Sequence, residues 1–115
     1  HRSKLTVNLQ ALIDPTLDVG VPGGAALLAF SDAVLGPDRG TLDAARATLA
    51  RELGPAAVSR AAAVAANFTK NDRTANAVGA PLEPEMLKAT KAIREELGLN
   101  SFRSAASSLL HFPGA

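Results

Sequence analysis

The chain has 115 residues, 47% of them hydrophobic but only 3% aromatic, so its length predicts one domain over 1–115 with a core of Ala, Leu and Val. Its 12 basic and 11 acidic side chains leave a net charge of +1 with no basic patch among aromatics, which gives no case for nucleic acid. The sequence contains no cysteine, which excludes disulfides and thiol chemistry within it, and no apolar run approaches the roughly 18 residues of a membrane span.

Two dozen alanines favour helix throughout. The first predicted element runs from Arg2 to Ile13, where Leu5, Leu9 and Leu12 stand at helical spacing, and it stops before Pro15. The stretch Thr16 to Gly24 holds three glycines and a proline and reads as a loop. It lacks the Lys-Ser/Thr or the spaced glycine set of a phosphate cradle. Ala25–Leu35 is predicted as a short apolar helix facing inward through Leu27, Phe30 and Val34, ended by Gly36-Pro37. Thr41 is the expected N-cap of the next helix, with Leu42, Ala45, Leu49 and Leu53 inward. Gly54 and Pro55 mark a tight corner between two helices.

The long helix Pro55–Val78 has the clearest period. Ala57, Ala61, Val64, Phe68, Asn71, Ala75 and Val78 step by four and three, which predicts a narrow seam, a buried Phe68 and a central position in the domain. A further helix is expected from a Glu83 cap to Leu97, with Met86, Thr90, Ile93 and Leu97 inward. On it Lys88, Lys91, Arg94, Glu95 and Glu96 are read as solvated, with Lys91–Glu95 an i,i+4 pair. After Gly98, a last helical stretch runs from Asn100 or Ser101 to about Leu110, and His111 belongs to the tail. No segment reads as a strand, so the expected fold is all-α, a compact bundle of five or six helices.

Little chemistry stands out. No His-x-x-x-His or Glu-x-x-His pair exists, so neither a metal site nor a cofactor is expected. Ser104, Ser107 and Ser108 lack a His–Asp partner set and read as packing or surface residues. The polar cluster from Asn67 to Asn76 is either the solvated end of a helix or, through Asn67 and Arg73, a set of hydrogen-bonding contacts to a neighbouring helix or subunit.

Asn67-Phe68, then Arg73-Thr-Ala-Asn-Ala-Val-Gly79, then Pro81-Leu82-Glu83, resembles the C-terminal part of AhpD-like proteins of the carboxymuconolactone decarboxylase superfamily. Ala26-Leu27-Leu28-Ala29-Phe30-Ser31-Asp32-Ala33 resembles the family helix before that point, and Leu49 to Ser59 its helix–turn–helix lead-in. The resemblance covers residues 25–87. It departs from the family pattern at Asn76, where an acidic residue is usual, and adds about one residue around Lys70–Asp72.

The resemblance implies an all-α fold, a homo-oligomer (trimer or hexamer), a cytoplasmic location and, in redox-active members, thiol-dependent peroxidase activity with a dithiol reductant protein. That activity uses a Cys-x-x-Cys pair followed by a histidine. His1, which heads the chain ahead of a predicted helix, stands where the motif histidine would be and would transfer a proton; a tag remnant or chance explains it about as well. The 115-residue chain itself, having no cysteine, is expected to be inactive. Two function classes follow: a scaffold and subunit-contact portion of an AhpD-like peroxidase or related oxidoreductase, or a non-catalytic helical oligomerisation or binding module.

Overall fold

A computed structural model describes residues 4–114. Among them the chain is all-α, with no strand. The α-helices are α1 (Gly24–Leu35), α2 (Arg39–Leu53), α3 (Pro55–Val78), α4 (Pro84–Ala89), α5 (Lys91–Glu96) and α6 (Ala106–His111). No helix among the described residues is long and apolar enough to cross a membrane. The chain divides into two compact units, one up to Phe68 and one from Thr69 onwards, with the division inside α3.

The first unit departs from expectation at its start. Instead of a helix ending at Ile13 there is irregular chain from Lys4, the first described residue, to Asn8 and one 3-10 turn, Leu9–Leu12. Short polar side chains decide this by bonding their own backbone. Asn8 Oδ1 accepts from the Gln10 N–H at 3.1 Å, while the Asn8 N–H donates to the Val19 carbonyl at 2.9 Å. Asp14 Oδ1 then accepts from the Thr16 N–H at 3.0 Å and closes the turn. Leu5, Leu9 and Leu12 are all exposed, and the buried residue of the segment is Ala11.

Helices α1 and α2 pack through Ala26, Phe30 and Leu49, the last fully buried. Leu27, Val34, Leu42 and Ala45 lie against this cluster, as the periodicity predicts. The cap of α2 is Asp38 and not Thr41: its carboxylate accepts from the Thr41 N–H at 2.6 Å, and the helix starts at Arg39. Asp43 on the exposed face of α2 pairs with Arg39 at 3.1 Å and Arg46 at 2.6 Å. Leu53, at the end of α2, lies against Gly23, where φ is 67° and a Cβ would sit 2.6 Å from Leu53 Cδ1, so a side chain there would be strained and would displace Leu53.

Helix α3 has the predicted bounds, but not the predicted burial. Ala57, Val58, Ala61 and Ala62 cover the α1–α2 core, yet no residue of α3 is buried. Val64 and Phe68 are 58% and 62% exposed. The seam is therefore covered at Ala57 and Ala61, open at Val64, Phe68 and Val78, and half-buried again at Ala75.

In the second unit α3 ends at Gly79, whose φ of 66° is the left-handed value glycine adopts freely. Pro84 opens α4 at its first position, and Glu83 holds the N-cap place without a side-chain capping bond. The single helix expected to Leu97 is broken at Thr90, where φ is −100° and ψ is 3°. The Thr90 hydroxyl donates to the Met86 carbonyl at 2.6 Å, a back-bond of the kind that bends helices. Leu87 and Leu97 are buried; Met86, expected inward, is 48% exposed. Lys91 and Glu95 form no ion pair within 4 Å. The last stretch is two 3-10 turns, Leu99–Ser101 and Arg103–Ala105, followed by α6. Ser108 on α6 is buried, and its hydroxyl accepts from the Leu82 N–H at 2.8 Å.

Candidate functional site

His1 lies outside the described residues. Asn67 and Arg73 are both exposed on α3, and neither side chain has a hydrogen-bond partner among the described residues. Within the polar cluster Thr74 Oγ1 donates to the Lys70 carbonyl at 2.9 Å, a bond internal to the helix. His111 is exposed, and its Nδ1 lies 2.6 Å from the Ser107 carbonyl. A carbonyl only accepts, so Nδ1 carries the proton and donates. The ring thereby satisfies a carbonyl in the last turn of α6. No group of three His, Asp or Glu side chains among the described residues could hold a metal ion.

The distinctive polar feature is one that sequence reasoning assigned to solvent. Arg94 is buried, only 7% exposed. Its Nη2 donates to the Leu87 carbonyl at 2.8 Å, its Nη1 to Asn100 Oδ1 at 2.5 Å, and its Nε to Thr90 Oγ1 at 3.2 Å. The break at Thr90 builds this arrangement. It leaves the helix carbonyl of Leu87 accessible to the guanidinium and places the Thr90 hydroxyl under Nε. Gly98, at φ 66°, then turns the chain so that the Leu99–Ser101 turn delivers Asn100.

Arg94 lies on the wall of a cleft of about 370 Å³ within the second unit. The rest of the wall is mainly apolar, with Leu82, Ile93, Leu99 and Leu109, and the polar groups are neutral amides and hydroxyls such as Asn76 and Ser104. Among the described residues, Arg94 is the only ionisable side chain lining it. A signal for its burial existed in the sequence. Leu87, Thr90, Arg94 and Leu97 step by three, four and three and define the inward face, one position on from the expected Met86–Ile93 line.

Comparison of the chain with family models, with curated proteins and with solved structures gives no match.

Proposed function

We propose that the chain is a helical scaffold portion of an AhpD-like protein of the carboxymuconolactone decarboxylase superfamily, supplying subunit contacts and no redox chemistry of its own. The supporting observation is how the motif residues fold. Asn67 to Val78 lie in one unbroken helix, Gly79 closes it at positive φ, and Pro81-Leu82-Glu83 leads directly into Pro84 at the start of α4. In this reading the protein is cytoplasmic and forms a trimer or hexamer. Asn67 and Arg73 make polar contacts to a neighbouring subunit, and a dithiol protein reduces the Cys-x-x-Cys centre that redox-active relatives contain.

A second reading is a non-catalytic oligomerisation or binding module. The exposure of Val64 and Phe68 on the first unit's part of α3 favours it, because a regular apolar seam left uncovered suits contact with another chain.

Peroxide consumption separates the two. Reduction of a peroxide by this type of centre begins with attack by a thiolate, and the chain has none. Met86 offers only a thioether, a far weaker nucleophile than a thiolate. With an organic hydroperoxide and a dithiol donor, the 115-residue chain is expected to show no turnover. A natural reading frame that includes a Cys-x-x-Cys ahead of His1 is expected to be active, and His1→Ala in that protein to slow it without unfolding it. Thiol-independent turnover by the short chain would overturn the scaffold reading, and a natural frame without cysteines leaves the binding module.

A further inference from the structure

We propose that the cleft beside Arg94 is a binding site for a small monocarboxylate with an apolar body, such as a short-chain aliphatic or simple aromatic acid. The inference is independent of the family reading, since it rests on the chemistry of the cleft wall alone. A guanidinium has five N–H donors. Three are engaged, one each on Nε, Nη1 and Nη2, and all three acceptors are neutral. One N–H is left on each terminal nitrogen, so two charged donors remain for an anionic acceptor.

No acidic side chain among the described residues lines the cleft, so none of them sets an opposite charge on the wall beside the buried positive one. A buried cation held only by neutral acceptors favours an anion beside it, because taking the charge out of water is compensated only in part by dipoles. The leucines and Ile93 set the second half of the specificity. They give a bare inorganic anion nothing to replace its water, whereas an alkyl chain or ring buries apolar surface there. The volume of about 370 Å³ lies at the lower end of the range for small-molecule pockets.

Arg94 also clips the Leu99–Ser101 turn to α4, a purely structural use of the same side chain. The two uses are separated by ligand titration followed by amide and Arg Nε–H nuclear magnetic resonance on the full 115-residue chain. The probes are hexanoate and benzoate, their neutral amides hexanamide and benzamide, and inorganic phosphate. At least one acid is expected to give saturable shifts at Ala80, Ser104 and the Arg94 Nε–H, with its amide and phosphate at least about tenfold weaker.

Arg94→Gln is expected to lower the affinity for the acid about tenfold or more. Ala80→Leu fills the cleft from an exposed corner position without touching the Arg94 bonds, and is expected to abolish the shifts in a folded protein. It decides the matter if Arg94→Gln does not fold. Equal binding of an acid and its amide, unchanged binding in Ala80→Leu, or no saturable shift with either acid would overturn the proposal and leave Arg94 as a clip.

Discussion

Truncating Leu49 and truncating Phe68 to alanine have effects that the structure ranks opposite to the size of the side chains. Leu49 is fully buried, between Ala26 and Phe30 and under the alanines of α3. Its alanine neighbours cannot reach into a void and the larger ones, Phe30, Leu27, Val34 and Leu42, relax only in part, so Leu49→Ala loses its transfer energy and keeps part of its cavity. A cost of about 2–5 kcal/mol follows, the range for such changes. Phe68 is 62% exposed, which leaves 38% covered (100% less 62%). Scaling the roughly 1.5–3 kcal/mol of a fully buried side chain by that fraction gives about 1 kcal/mol or less for Phe68→Ala. The helical seam, taken as a buried line, predicts about 3–5 kcal/mol for the same change.

Urea denaturation followed at 222 nm, at protein concentrations low enough to keep the chain monomeric, measures both. An unchanged slope with urea shows that the shift in midpoint is a shift in stability. A Phe68→Ala loss as large as that of Leu49→Ala at the lowest concentration would refute the burial argument. If Val64 and Phe68 meet a second subunit, the Phe68→Ala loss grows as concentration rises, because association stabilises only the wild type.

Asp38→Ala is expected to lower the denaturation midpoint by leaving the Thr41 N–H of α2 without its cap, while Asp38→Asn keeps most of it; equal midpoints for Asp38→Ala and the wild type would remove Asp38 from that role. Asp14, Asp38 and Asp43 titrate below the ordinary 3.8, held there chiefly by the Thr16 hydroxyl, the Thr41 hydroxyl and Arg46. A carboxylate depressed in the folded state contributes stability that is present above its unfolded value and lost as pH falls through the folded value. The urea midpoint is thus expected to hold level above about pH 5 and to fall in acid, and a midpoint that climbs in acid would contradict the sign. Ser108→Ala leaves the Leu82 N–H without its acceptor in a part-buried corner, at a cost of about 1–3 kcal/mol. Hydrogen exchange of the Leu82 amide is expected to accelerate in that variant, and an unchanged rate would show the bond to be dispensable.

The parts of the fold legible in the sequence are those that glycine and proline fix locally. Helix α3 begins at Pro55 and ends before Gly79 as the sequence predicts, because a proline suits the first helical position and a glycine the residue after the last. The face of α2 was equally readable, since Leu42, Ala45 and Leu49 repeat at the helical period and all meet the core. Periodicity, however, says which residues share a face and not what covers it. Val64 and Phe68 continue the line of Ala57 and Ala61, and within the first unit only the two alanines meet the core. The same pattern serves a core and a subunit contact, so α3 alone could not distinguish them.

Two further misreadings share one cause: short polar side chains bonding their own backbone. Asn8 and Asp14 turn an apparent leucine helix into a single 3-10 turn. Thr90 breaks one expected helix into α4 and α5. That second break is also what creates the candidate site. An arginine on a straight, exposed helix face stays hydrated, and the default reading of Arg94 is solvent. With the helix broken beneath it, Arg94 gains the Leu87 carbonyl, the Thr90 hydroxyl and the Asn100 amide as acceptors and is taken out of water beside an apolar cleft. Local backbone chemistry that stabilises the fold by only small increments thus determines where Arg94, the one buried charged side chain among the described residues, lies.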